Sequence, residues 1–240
     1  VNGVEQVVYV YFFALTLVLL GYASYSDIST RTVHPYMFVP LIAAGAILDL
    51  LSGISPLFVT VVLALFLLTF AHDNLPVFIV TGTAIFAAGF LFLLQSPLML
   101  TALIFMFFAY VLGVGEKFFG IGDIKAFLAI SLSFVNPIML LQIFHPLPYG
   151  IQFPMIFLML LNSSLISVFF IPYLLIMNIR EKSRISVMSL FALPFDENTL
   201  KSHPERYTVT QYKGSRYLLF KTPFLLPITI GFVMAIISGI

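Results

Sequence analysis

Asp27 and Asp123 are the two residues of this chain whose type and surroundings suit a chemical reaction. Two carboxylates that share one proton can divide the work of hydrolysis, the ionised one activating water and the protonated one donating to the amide carbonyl. Like charges held close together separate the two titrations and keep one proton on the pair near neutral pH. Gly120-Ile121-Gly122 precedes Asp123, and glycines beside an aspartate let a backbone approach closely and take positive φ, which would bring an extended substrate against the carboxylate. Each aspartate also has a plainer reading. An aspartate at the end of a membrane helix serves as an interfacial anchor, and Asp123 is placed to cap the helix that follows. Their spacing in the chain does not by itself make them meet.

The other reactive side chains form no comparable set. His34, His72, His145 and His203 scatter over different loops and lack metal-ligand spacing. Ser163 and Ser164 lie in an apolar stretch with no histidine or lysine beside them, which reads as helix packing. The chain has no cysteine, excluding disulfides, thiolate metal sites and a cysteine nucleophile. There is no glycine-rich nucleotide loop, and a net charge of +1 is no nucleic-acid signature.

The elements that must position the aspartates are apolar. Of the 240 residues, 61% are hydrophobic and 9% charged, against about 25% charged in an ordinary soluble domain. The apolar stretches are long and do not alternate with a period of two, which favours spanning helices over a barrel. The expected spans are Val7 to Ala23, Tyr36 to Leu51, Leu57 to Ala71, Val77 to Leu94, Leu98 to Leu112, Ala126 to Phe144, Phe153 to Met177 and Pro223 to Ile240. No basic region precedes the first, so it reads as a span, not a cleaved signal. Residues 178–221 are the one extended polar region, expected to hold short strands around Tyr207 to Val209 and Tyr217 to Phe220. The expected fold is therefore an all-α polytopic membrane protein of six to eight transmembrane helices, with a small cytoplasmic polar subdomain before the last. Its units are a core over 1–177, the subdomain over 178–221 and a final helix over 222–240.

Threading eight spans places all 11 lysines and arginines on one side, leaving Glu5 and Asp49 on the other. Six spans give the same sidedness if two neighbouring stretches between Pro56 and Leu112 do not cross. By the positive-inside rule the basic side, which holds Asp27 and Asp123, is cytoplasmic.

Gly120-Ile121-Gly122-Asp123, followed by Ile124 and Lys125, resembles the Gly-x-Gly-Asp signature of the membrane aspartyl proteases. The stretch from Asp27 to Pro35 resembles the first aspartate motif of the type IV prepilin peptidases, although Val33-His34-Pro35 departs from that family's usual Ile-Pro-Asn-like ending. The archaeal branch, the preflagellin peptidases, is the most similar in length and order of elements. The resemblance implies a multi-pass cell-membrane endopeptidase with Asp27 and Asp123 as its catalytic dyad at the cytoplasmic face. Gly120 and Gly122 would shape the active-site loop, to which Lys125 would also belong. Its substrate would be a preflagellin or prepilin-like precursor with a short basic leader before a hydrophobic helix. Lacking cysteine, the chain lacks the zinc loop of the bacterial branch, so cleavage without methylation and without a cofactor is expected. Lys125, close to Asp123, would either favour its ionised form or snorkel to headgroups. Glu116 and Asp73, on the same side, would receive the basic leader, or are simply solvated loop charges. The alternative is a small membrane transporter or a scaffold subunit.

The sidedness has a direct test. A reporter fused after Asn198 should read as cytoplasmic and one fused at Ile240 as external; an external reading at Asn198 overturns the orientation.

Overall fold

The computed structural model describes residues 3–30, 33–34, 36–114, 120–135, 154–180, 192–204, 206–220 and 224–238. Glu116, Lys117 and the turn around His145 lie outside them. The protein is mostly helical (76%). In chain order the helices are α1 (Gly3–Thr30), α2 (Val39–Leu51), α3 (Pro56–Leu68) with a short 3₁₀ turn at Thr69–Ala71, α4 (Leu75–Phe92), α5 (Pro97–Gly113) and α6 (Ile121–Ser133). They continue as α7 (Met155–Val168), α8 (Phe170–Arg180), α9 (Glu197–Ser202) and α10 (Leu225–Ser238).

Several helix ends differ from those expected, for local reasons. The link expected from Ser24 onward is helical as far as Thr30. Its hydroxyls satisfy themselves within the helix, Ser29 donating to the Tyr25 carbonyl at 2.8 Å and Thr30 to that of Ser26 at 2.9 Å, so polar side chains there do not interrupt the backbone ladder. Prolines read as turn markers instead sit in the first turn of α3, α4 and α5, as Pro40 does in α2, where a missing N–H costs nothing. The stretch from Phe153 to Met177 is broken at Phe169 into α7 and α8. Pro172 supplies the cause, since its ring clashes with the carbonyl four residues back, that of Val168.

Among the described residues, three helical stretches are long and apolar enough to cross a membrane: Val7–Thr30, Leu75–Phe92 and Met155–Arg180. Many large apolar side chains point outward, among them Val18, Leu67, Leu91 and Phe92, as a hydrocarbon solvent permits.

Close approach between helices depends on small residues. On α2, a Cβ at Gly45 would lie 2.6 Å from the Ser133 Oγ and 2.9 Å from its Cα on α6. On α10, a Cβ at Gly231 would lie 2.7 Å from the Ser163 Oγ and 2.9 Å from its backbone nitrogen on α7. Between α4 and α5, the Tyr110 hydroxyl passes over Gly82 to donate to the Phe78 carbonyl at 2.5 Å.

An all-α description omits a three-stranded antiparallel sheet in the polar region. It comprises β1 (Ala192–Pro194), β2 (Tyr207–Tyr212) and β3 (Ser215–Phe220), in the order β1-β3-β2. Strands β2 and β3 contain the two expected segments; β1, only three residues long, carries no readable alternation. Lys213 (φ 49°) and Gly214 (φ 80°) make the tight hairpin turn, whose backbone needs positive φ at both positions. The Asn178 side-chain amide donates to the Ala192 carbonyl at 3.0 Å and ties β1 to the end of α8. Asp196 caps α9, and the hydroxyl and N–H of Thr199 hold its carboxyl below the ordinary range.

The glycine contacts yield a paired prediction. Gly231→Ala should destabilise the protein by about 1–3 kcal/mol through overpacking. Gly21→Ala, with nothing within 4 Å of the new Cβ, should be neutral or stabilising by up to about 1 kcal/mol. Thermal unfolding in detergent is the measurement; equal midpoints for the two variants would remove the close α7–α10 contact from the argument.

Candidate active site

Asp27 lies on the last two turns of α1 and is half-buried. Its Oδ2 accepts the backbone N–H of Leu225, the first residue of α10, at 3.3 Å. Asp123 lies in the first turn of α6 and is buried, at 8% exposure. Its Oδ2 accepts the backbone N–H of Gly120 at 2.8 Å. Each carboxylate therefore meets the amino end of a helix, where unpaired N–H groups and the helix dipole favour negative charge. Burying a carboxylate costs several kcal/mol without such partners, and each of these amides offsets part of that cost. Asp123 does cap its helix, but from inside the first turn, donor and acceptor being the backbone of Gly120 and its own side chain.

The Asp27 carboxylate lies within range of a weak like-charge interaction with Asp123, secondary to the burial of Asp123 itself. The junction is built by aromatic packing. Phe127, one turn along α6 from Asp123, meets Phe224, the residue before α10, at a ring separation of 6.4 Å. Deeper in, Phe134 after α6 packs on Phe12 of α1 at 5.5 Å and on Phe232 of α10 at 5.3 Å. Three helices thus share one aromatic contact below the acids.

A polar seam joins α1 to α10 beside the site. Ser24 donates to the Leu225 carbonyl at 3.0 Å, and its Oγ lies 2.7 Å from that of Thr229. Thr229 also lies 3.3 Å from the Leu20 carbonyl and 2.9 Å from its own Leu225 carbonyl. Each hydroxyl has one proton. With Ser24 donating to Leu225, the Thr229 proton has three acceptors within reach: the Ser24 Oγ and the Leu20 and Leu225 carbonyls. Leu225, Ser24 and Thr229 were not singled out by the sequence reading. A signal existed: Leu20, Ser24 and Asp27 recur at helical spacing on one face of α1.

The remaining sequence candidates divide. Gly120 has φ −75° and ψ 163°, ordinary extended backbone, and Gly122 is helical; positive φ among the described glycines belongs to Gly53 and Gly214. The expectation of positive φ at the motif is therefore corrected. A Cβ at Gly120 would lie 3.6 Å from Asp123 Oδ2, and one at Gly122 3.9 Å from the Val33 Cβ. Neither glycine is forced by crowding, and both leave the backbone bare beside Asp123. Lys125 is not in an active-site loop and does not snorkel. It is 4% exposed, with Nζ 3.9 Å from the centre of the Phe70 ring. Two positions apart on a helix, Asp123 and Lys125 point to different sides. Phe70 in turn stacks on Tyr36 at 5.4 Å, so Lys125 holds the entry to α2 instead. Asp73 is exposed and lies 3.4 Å from His72 Nε2, a local contact that does not join it to the pair. Glu116 lies outside the described residues. Among the described residues no group of three or more His, Cys, Asp or Glu could hold a metal ion.

No protein-family model, no curated protein and no solved structure matches the chain.

Because the chain has no cysteine, the seam can be tested by cross-linking. With Ser24→Cys and Thr229→Cys combined, mild oxidation in membranes should form a disulfide in most molecules, seen as a shift on non-reducing gels after cleavage at an engineered site between the two. Persistently free thiols would remove the α1–α10 contact.

Proposed function

We propose that this chain is a membrane aspartyl endopeptidase that removes the short basic leader from preflagellin or type IV prepilin-like precursors. One observation carries the reading: two carboxylates remote in sequence are each held by the amino end of a helix, and the two helices meet where Phe224 beside α10 packs on Phe127 of α6. The resemblance of the Asp27 and Asp123 segments to the two motifs of those peptidases supports it. In this reading the helices form a multi-pass bundle and the pair sits at the cytoplasmic face, in keeping with the one-sided placement of the basic residues.

The chemistry follows from the pair. The ionised carboxylate takes a proton from water as the oxygen attacks the scissile carbonyl. The protonated carboxylate donates to that carbonyl oxygen, and the proton gained from water then passes to the leaving amine. The bare backbone at Gly120 and Gly122 would admit an extended peptide beside Asp123, and the precursor's hydrophobic helix would lie along the bundle. Substrate binding would complete the alignment.

A transporter reading draws on a different residue. Asp49 on α2 is 6% exposed and its Oδ2 has no hydrogen-bond partner, and buried acids within spans often mark ion paths. The dyad reading accounts for more, because it uses both motif segments and their meeting point.

Cleavage of a purified precursor in detergent with excess chelator decides between them. Wild type should cut once at the leader junction, and Asp27→Asn and Asp123→Asn should each lose at least about 1,000-fold in rate while keeping the wild-type unfolding midpoint. Substantial cleavage by either folded variant would sink the dyad. Loss of wild-type activity to chelator, restored by zinc, would point to a metal-dependent site.

A further inference from the structure

We propose that Ser24 and Thr229 are positioning residues for Asp27, and that α10 is a working part of the site. The inference rests on the peptidase reading above and adds to it the device that aims one of the two carboxylates.

Leu225 is gripped by α1 on both of its backbone groups. Its N–H goes to Asp27 Oδ2 at 3.3 Å and its carbonyl accepts from Ser24 at 3.0 Å. Ser24 and Asp27 are three residues apart on α1, so they stand one above the other on the same face. The grip therefore fixes both the height of α10 against α1 and its rotation. Thr229, one turn along α10, closes the clasp with its Oγ 2.7 Å from that of Ser24. Ser24 is 4% exposed and Thr229 partly buried, so water does not readily substitute for either hydroxyl.

The consequence concerns orientation. A carboxylate on a helix can rotate about two side-chain torsions, and the Leu225 amide 3.3 Å away helps to select one setting only while that amide is itself held. The Ser24–Thr229 clasp holds it. Without the clasp, α10 keeps its apolar contacts through Phe232 and Gly231 but loses the hydroxyl contacts that set its height and rotation against α1. The Leu225 amide is then less firmly set against Asp27, while Asp123, whose amide comes from its own helix turn, keeps its donor as it was. The clasp thus acts on one member of the pair alone, and it acts on the chemical step more than on substrate capture.

The test uses the full chain and a basic-leader precursor. Thr229→Val preserves shape and removes the hydroxyl; Ser24→Ala removes the partner; Thr229→Ser restores the hydroxyl. Thr229→Val and Ser24→Ala should each lower kcat by about 10–100-fold with KM unchanged. Thr229→Ser should return to within about 3-fold of wild type, and the double variant should be no worse than the more severe single one, because both break the same clasp. Unfolding midpoints identify any variant that fails to fold; if Thr229→Val does, Ser24→Ala decides. Wild-type kcat in folded Thr229→Val and Ser24→Ala, beside inactive Asp27→Asn, would overturn the clasp and leave the dyad standing. A rise in KM with kcat unchanged would overturn it too, placing these hydroxyls in substrate binding. No cleavage by wild type of any basic-leader precursor would overturn the peptidase reading, and the clasp's catalytic role with it.

Discussion

The hold of α1 on the first residue of α10 is the contact on which the arrangement of this molecule turns. Helices in hydrocarbon gain nothing from hiding apolar surface from one another, so packing and polar contacts must choose their partners. Here Asp27, Ser24 and Thr229 meet the backbone of Leu225 and one another. Each such bond is worth about 0.6–2 kcal/mol in a membrane protein, which is modest, but together they are directional where apolar packing is not. The amino end of α10 is thereby brought to the cytoplasmic end of α1 in the proposed topology. Phe224 goes with it, and through Phe127 so does the amino end of α6, carrying Asp123.

The rest of the bundle serves as a frame for that junction. Gly45 against Ser133 and Gly231 against Ser163 let α2 and α7 lie close along α6 and α10. The aromatic cluster of Phe12, Phe134 and Phe232 ties the same two helices to α1 beneath the acids. Lys125 anchors the other side of α6 to Phe70 and, by way of Tyr36, to the approach to α2. The first turn of α6 is thus held from two sides, while the glycines on its exposed backbone remain uncovered. The sheet precedes α10 in the chain, with β3 closing four residues before Phe224, and Asn178 ties it to the end of α8.

Two acids at packed helix ends, one buried and one half-buried, would ordinarily be a liability. Their tolerance here has a local cause, because each occupies a place where backbone amides lack intrahelical partners. A helix start that needs an acceptor and an acid that needs a donor satisfy each other. The same economy fixes both carboxylates at the amino ends of two helices. That is the property the proposed peptidase chemistry requires, and it is why the capping role and the catalytic role are compatible.

Much of this was legible in the chain itself, because it depends on residue type and near neighbours. Apolar composition and long uninterrupted stretches announced helices able to cross a membrane. Gly120 to Asp123 marked a helix start beside an acid, and the mixed charge and aromatic content around Tyr207 and Tyr217 pointed to short strands. Local signals also misled. Serines and a threonine after Ala23 read as a link, yet their hydroxyls bond within the turn and α1 continues; Pro172 breaks a stretch that hydropathy alone reads as continuous. Lys125 read as an interfacial cation because hydropathy cannot reveal a ring waiting beneath it. What only the tertiary structure decided was partnership. Asp27 and Asp123 are far apart in the chain, and Leu225 lies far from both. No periodicity within one helix encodes which other helix its polar face will meet. That choice is made when hydroxyls, carboxylate and amides find complementary positions across a closely packed interface.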